Sequence, residues 1–154
     1  MSPSHGGGVR MSNLRARWIF AALWLGGLAA VGLIGAPTAF AVIPDKMLAA
    51  AVASRMFYVM ALAAMALGGL LMVLERAHAR PLAASTPFFL VLGGLFFTVL
   101  GEFVVVPQLL SAAAAHAASA GMWHAVASLV YLLQALCVFA YVWALATASA
   151  RQAR

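Results

Sequence analysis

Acidic residues are almost missing from this chain. Asp45, Glu75 and Glu102 are the only three in 154 residues, and charged residues of both signs make up 8%. A soluble domain carries about a quarter, so a solvated, charge-covered surface is excluded. Cysteine is nearly absent too. Cys137 stands alone inside an apolar run, which rules out an intrachain disulfide and reads as a small hydrophobe. No C-x-x-C, H-x-x-x-H or C-x-x-C-H spacing occurs, so no metal site, haem site or other cofactor is assigned. There is no glycine-rich phosphate loop, no nucleophile elbow and no pair of acids within the apolar runs. His124 and Ser128 stand four apart, but no acid on that segment completes a triad. An enzyme is not expected.

What the chain has is apolar length, with 66% of its residues hydrophobic. Four runs approach or exceed the roughly 20 residues that cross a bilayer. They cover about 18–43, 47–74, 87–110 and 122–146. Backbone groups in lipid must satisfy one another, so each run predicts a helix. The expected fold is an all-α integral membrane four-helix bundle over 18–146. A basic segment at 1–17, rich in Gly and Ser at its start, is expected to be disordered, and 147–154 forms a short basic tail.

The formal charge of +6 carries topology rather than nucleic-acid binding. Arg10, Arg15, Arg17, Arg76, Arg80, Arg151 and Arg154 are seven of the nine basic residues and fall on one side of the four runs. The other two links hold Pro44-Asp45-Lys46 and a nearly chargeless stretch around His116. The positive-inside rule therefore places both termini in the cytoplasm of a bacterial inner membrane. The stretch from Arg15 to Ala41 also has the outline of a signal peptide ending in A-x-A at Ala39–Ala41. Its apolar run is long for that role and continues to Ile43, so the first helix is expected to be retained.

Three ionisable residues fall inside or at the outer end of the runs: Arg55, Glu102 and His124. Counted from the helix ends, Arg55 and Glu102 lie about two turns below the outer face, and His124 lies in the first turn of the fourth helix. Pro37 sits at similar depth and removes a backbone donor; Pro107 does so near the outer end of the third helix. A charge at the bilayer centre costs roughly 2.5–3.5 kcal/mol on insertion scales. Pairing Arg55 with Glu102 would reduce that cost. The pair reads either as a clamp between helices two and three or as a polar site for a proton, ion or small anion. Met56 and Met60 could offer thioethers to a soft metal, but they fit an apolar helix face equally well. Tyr58, Tyr131, Tyr141, Trp123 and Trp143 include candidates for the interfacial aromatic belt. Gly-Gly pairs at 68–69 and 93–94 suit close helix packing. The similar endings "FAVIP" at Phe40–Pro44 and "FVVVP" at Phe103–Pro107 hint at a duplicated hairpin with parallel topology.

"GAPTAFAVIPDKMLAAAVASRMF", "GEFVVVPQL" and "MWHAVASLVYLL" together resemble a bacterial four-helix membrane family, domain of unknown function 4149, whose eukaryotic relatives are called transmembrane protein 205. Ala36-Pro37, Pro44, Pro107-Gln108 and His124 carry the likeness, which extends from about Trp18 to Tyr141. Ala125 and Ala127 depart from the family's usual Gly and Ser. The resemblance implies a four-helix membrane protein and no established reaction. The link of the eukaryotic relatives to platinum-drug resistance implies metal or solute handling as one activity.

The expected function is an accessory or structural subunit that sits in the lipid bilayer and binds another membrane protein or a second copy of itself. The alternative is a small transporter or ion- or metal-handling protein using an Arg55–Glu102–His124 layer.

Overall fold

The computed structural model describes residues 6–78 and 85–152. Among them every regular element is helical and no strand occurs. In chain order these are α1 (Gly6–Ala29), the wide turn π1 (Ala30–Gly35), α2 (Ala36–Val42), α3 (Lys46–His78), α4 (Thr86–Leu100), π2 (Gly101–Val105), α5 (Val106–Ala114) and α6 (Ala120–Gln152). They build four spans long and apolar enough to cross a membrane: Asn13–Val42, Lys46–Arg76, Thr86–Ala114 and Ala120–Arg151. The all-α, four-helix reading holds. With an even number of crossings, both ends of the described chain lie on the same side.

The helices outrun the apolar stretches that announced them. The first begins at Gly6 rather than near Trp18, and the second continues to His78. Apolar composition marks hydrocarbon depth, whereas helix geometry persists through Arg- and Ala-rich turns beyond it. The segment expected to be disordered is therefore helical from Gly6 onward. Residues 1–5, Arg80 and Arg154 lie outside the described residues.

The first link uses each of its polar residues. Pro44 follows Ile43, whose extended backbone ends α2. Asp45 Oδ1 accepts from the N–H groups of Met47 (2.8 Å) and Leu48 (3.3 Å), capping α3. Lys46 Nζ donates to the Phe40 carbonyl at 3.0 Å, satisfying the end of α2. Ser85 caps α4 through Phe88 N–H at 3.4 Å. In the link between α5 and α6, His116 adopts φ 49°. Its N–H donates to Ala113 O at 3.1 Å, and Ala117 N–H to Ala112 O at 2.9 Å. These bonds close α5 as a Schellman turn with His116 at the left-handed position.

Both wide turns stand just before a proline. Ala36 N–H reaches back five residues to Val31 O, and Val106 N–H reaches back five to Gly101 O. The next donors in that register would be Pro37 and Pro107, which have none. The carbonyls of Gly32 and Glu102 thereby lose their helical partners. The proline irregularities expected from the sequence are present as π turns.

The four spans form a ring in which each packs on two neighbours: α1 on α3 and α6, and α4 on α3 and α6. Trp24 fills the centre, with Leu28, Leu71, Val91, Val138 and Tyr141 around it. A Cβ placed on either Gly68 or Gly94 would come within 2.9 Å of Trp24 Cη2. Those two glycines are the floor on which the indole lies. The small-residue packing read from the sequence holds there. Gly26 and Gly69, by contrast, face open space.

The first and third spans share more than a bend. Ala21, Trp24 and Leu28 precede Pro37 at the spacings at which Val91, Gly94 and Thr98 precede Pro107, and all six are buried. The structure thus equates Pro37 with Pro107, not Pro44 with Pro107 as the "FAVIP" and "FVVVP" endings suggested. The first and third spans thus carry matching buried stripes, in a register two turns from the one those letters indicate.

Candidate functional site

Glu102 opens π2 as its second residue and is half-buried. Among the described residues its carboxyl makes no hydrogen bond and no ion pair. Its own carbonyl is the one that Pro107 leaves without a helical donor. A lone acid and a freed carbonyl therefore belong to the same residue, within a membrane span.

Arg55 does not pair with it. The guanidinium is exposed and lies over the Tyr58 ring, 5.2 Å from the centroid. It lines an open apolar groove of about 480 Å³ with Val31, Val52, Met56, Val59 and Met60. Val31 belongs to π1, so Arg55 is on the flank of α3 that faces the first span, whereas Glu102 belongs to the third span on the other side of α3. Depth along a helix was legible in the sequence; rotation about its axis was not. His124 is exposed in the first turn of α6, and its backbone carbonyl accepts from Ser128 Oγ at 2.9 Å. The Ser128 hydroxyl thus serves its own helix and not the imidazole. Arg55, Glu102 and His124 occur in three separate surroundings, and among the described residues no hydrogen bond or ion pair joins them. His116 is an exposed link residue, as expected.

The clamp sought at Arg55 exists at the opposite end of the bundle, between Arg17 of the N-terminal segment, Glu75 just past the second apolar run and Tyr141, an aromatic-belt candidate of the fourth. Arg17 Nη2 and Glu75 Oε1 form an ion pair at 2.5 Å, with both side chains buried. Tyr141 O–H donates to the same Glu75 oxygen at 2.5 Å, and Arg17 Nε donates to the Tyr141 oxygen at 3.4 Å. Spans one, two and four meet there. Tyr131, another belt candidate, also turns inward, donating to Leu28 O at 2.7 Å just ahead of π1. A signal for the cluster was present: Arg17 continues the buried stripe Ala21, Trp24, Leu28, and Glu75 stands one turn after Leu71. The stripe passes through the end of the apolar run without a break, so those charges face inward.

Among the described residues no three His, Cys, Asp or Glu side chains converge. Trp24 Nε1 is fully buried and has no hydrogen-bond partner.

Four apolar spans around a filled core, with most of their side-chain surface turned outward, define a multi-pass α-helical membrane protein in contact with the lipid bilayer. The chain belongs to the family described as Domain of unknown function (DUF4149), which matches residues 19–118. That match takes in the first three spans and the link after them, while the opening of α6 with His124 lies beyond it. No curated protein and no solved structure matches the chain.

Proposed function

We propose that this protein is an accessory or structural subunit of a bacterial inner membrane, with both termini cytoplasmic, that binds another membrane protein or a second copy of itself. Glu102 carries the reading. A carboxyl within a membrane span is costly unless a partner meets it, and its own chain offers none among the described residues. A donor from a neighbouring chain would meet that need. The centre of the bundle is filled by Trp24 and the residues around it, which suits a packing role. Only 17% to 28% of each span's most apolar window is buried, so wide lipid-compatible faces remain for a neighbour.

A second reading, a small transporter or ion- or metal-handling protein, is favoured by the two π turns. Irregular backbone within spans, with carbonyls released at Gly32 and Glu102, is a feature of transport sites. The likeness to transmembrane protein 205, with the solute handling it implies, belongs to this reading.

Native mass spectrometry of the protein released from its own membranes in mild detergent separates the two. The subunit reading expects larger partners or a homo-oligomer, lost in Glu102→Gln. A monomer whose Glu102→Gln form stays folded but loses solute flux in vesicles supports the second reading and overturns the first.

A further inference from the structure

We infer that the groove between π1 and α3 binds an anionic phospholipid, with one acyl chain along the groove and the phosphate on Arg55. The groove holds about 480 Å³. Its α3 wall is one stripe, Val52, Met56, Val59 and Ala63, at successive helical turns. At 1.5 Å per residue that stripe is about 16 Å long. A flexible acyl chain can lie along an open apolar stripe of this length. Lipid is the surrounding solvent, so acyl chains are always at hand.

The bend in the first span makes the slot. The wide turn π1 stands just before Pro37, and Gly35 brings no side chain to the gap, so the Met56 tip lies against it. Met56 and Met60 are flexible liners that adapt to an irregular chain.

Charge fixes the headgroup. Arg55 is the cation of the groove and has no acid partner. Asp45, the acid nearest in sequence, is occupied in capping α3. Tyr58 supports the guanidinium from one face and leaves its N–H donors free for a bidentate phosphate. Depth agrees. The span Lys46–Arg76 has 31 residues. It is about 46 Å long against a hydrocarbon core of about 30 Å, so about 8 Å at each end stands among headgroups. The Arg55 backbone lies about 13 Å along it, within a side chain's reach of the phosphate level. A zwitterionic headgroup would bring its own cation beside Arg55; an anionic one would not.

The inference does not rest on the subunit reading. The test uses the full chain, delipidated in mild detergent and titrated with phosphatidylglycerol or phosphatidylcholine, with bound lipid counted by native mass spectrometry. Both lipids offer Arg55 a phosphate, but only phosphatidylcholine sets a competing cation beside it, so phosphatidylglycerol is expected to bind about tenfold more tightly. Arg55→Gln should abolish that preference, while Arg76→Gln, an exposed arginine at the other end of α3, should keep it. Val59→Trp should fill the slot and weaken both lipids. Glu102→Gln, which tests the subunit reading, should leave lipid binding unchanged. Equal binding of the two lipids by the wild type, or an undiminished preference in Arg55→Gln with wild-type helicity, overturns the inference. So does a delipidated protein that takes up neither lipid because a second copy covers the groove.

Discussion

Glu75 serves two donors at once, and that makes it the most exacting residue in the bundle. Both Arg17 and Tyr141 donate to its Oε1. Removing one member of a buried pair leaves the other charged and unmet, at a cost of about 3–5 kcal/mol, whereas replacing both with apolar residues of similar size is often neutral. Glu75→Gln is therefore expected to lower the Tm in detergent sharply, and the double variant Arg17→Met with Glu75→Leu to recover most of the loss. A Tm for Glu75→Gln within a degree of wild type would mean that the ion pair contributes nothing. At this scale the sequence was legible for residue type and poor for partnership. Three acids and nine bases were plain to see, and Arg55 and Glu102 looked like natural partners by depth. Partnership depends on the angle around each helix, which only the continuous buried stripes through Arg17 and Glu75 could have supplied.

Helices and links were read with mixed success for equally physical reasons. The four spans followed from apolar length, and Pro37 and Pro107 marked the irregular points. Their form as π turns was not legible, because a five-residue register is chosen by how the flanking turns pack and not by residue type. The link between α5 and α6 gives a sharper case. Beyond α5 the chain closes through Ala115 and then His116, which takes φ 49° where glycine is the usual residue. A side chain in that conformation is strained by about 1–2 kcal/mol relative to glycine. Because His116 is exposed, His116→Gly removes strain without removing packing. It is expected to stabilise the protein by about 1 kcal/mol, seen as a rise in Tm with unchanged oligomeric state. An unchanged or lowered Tm would show that the Schellman turn does not form.

At the scale of the whole molecule, the bundle is organised around a single indole. Trp24 comes from the first span and lies against Gly68 of the second and Gly94 of the third, with Val138 of the fourth beside the same glycine. One side chain thus sets the distance among all four spans, and the matched stripes place its counterpart: where the first span carries Trp24, the third carries Gly94, so bulk on one side meets its absence on the other. Glycines inside and outside this centre should then behave in opposite ways. Gly94→Ala would put a methyl 2.9 Å from Trp24 Cη2, 3.2 Å from Cζ2 and 3.3 Å from Val138 Cγ2. None of these atoms ends a flexible chain, so overpacking of about 1–3 kcal/mol is expected. Gly69→Ala meets nothing within 4 Å and should stabilise α3 by helix propensity, by up to about 1 kcal/mol. Trp24→Phe leaves a void but also removes the buried N–H that has no partner, and it opens the space that Gly94→Ala needs. The double variant should therefore lose less than the two single losses combined, a coupling that thermal unfolding in detergent can read directly. Strict additivity would mean that Trp24 and Gly94 do not touch, and the ring of four spans would need another centre.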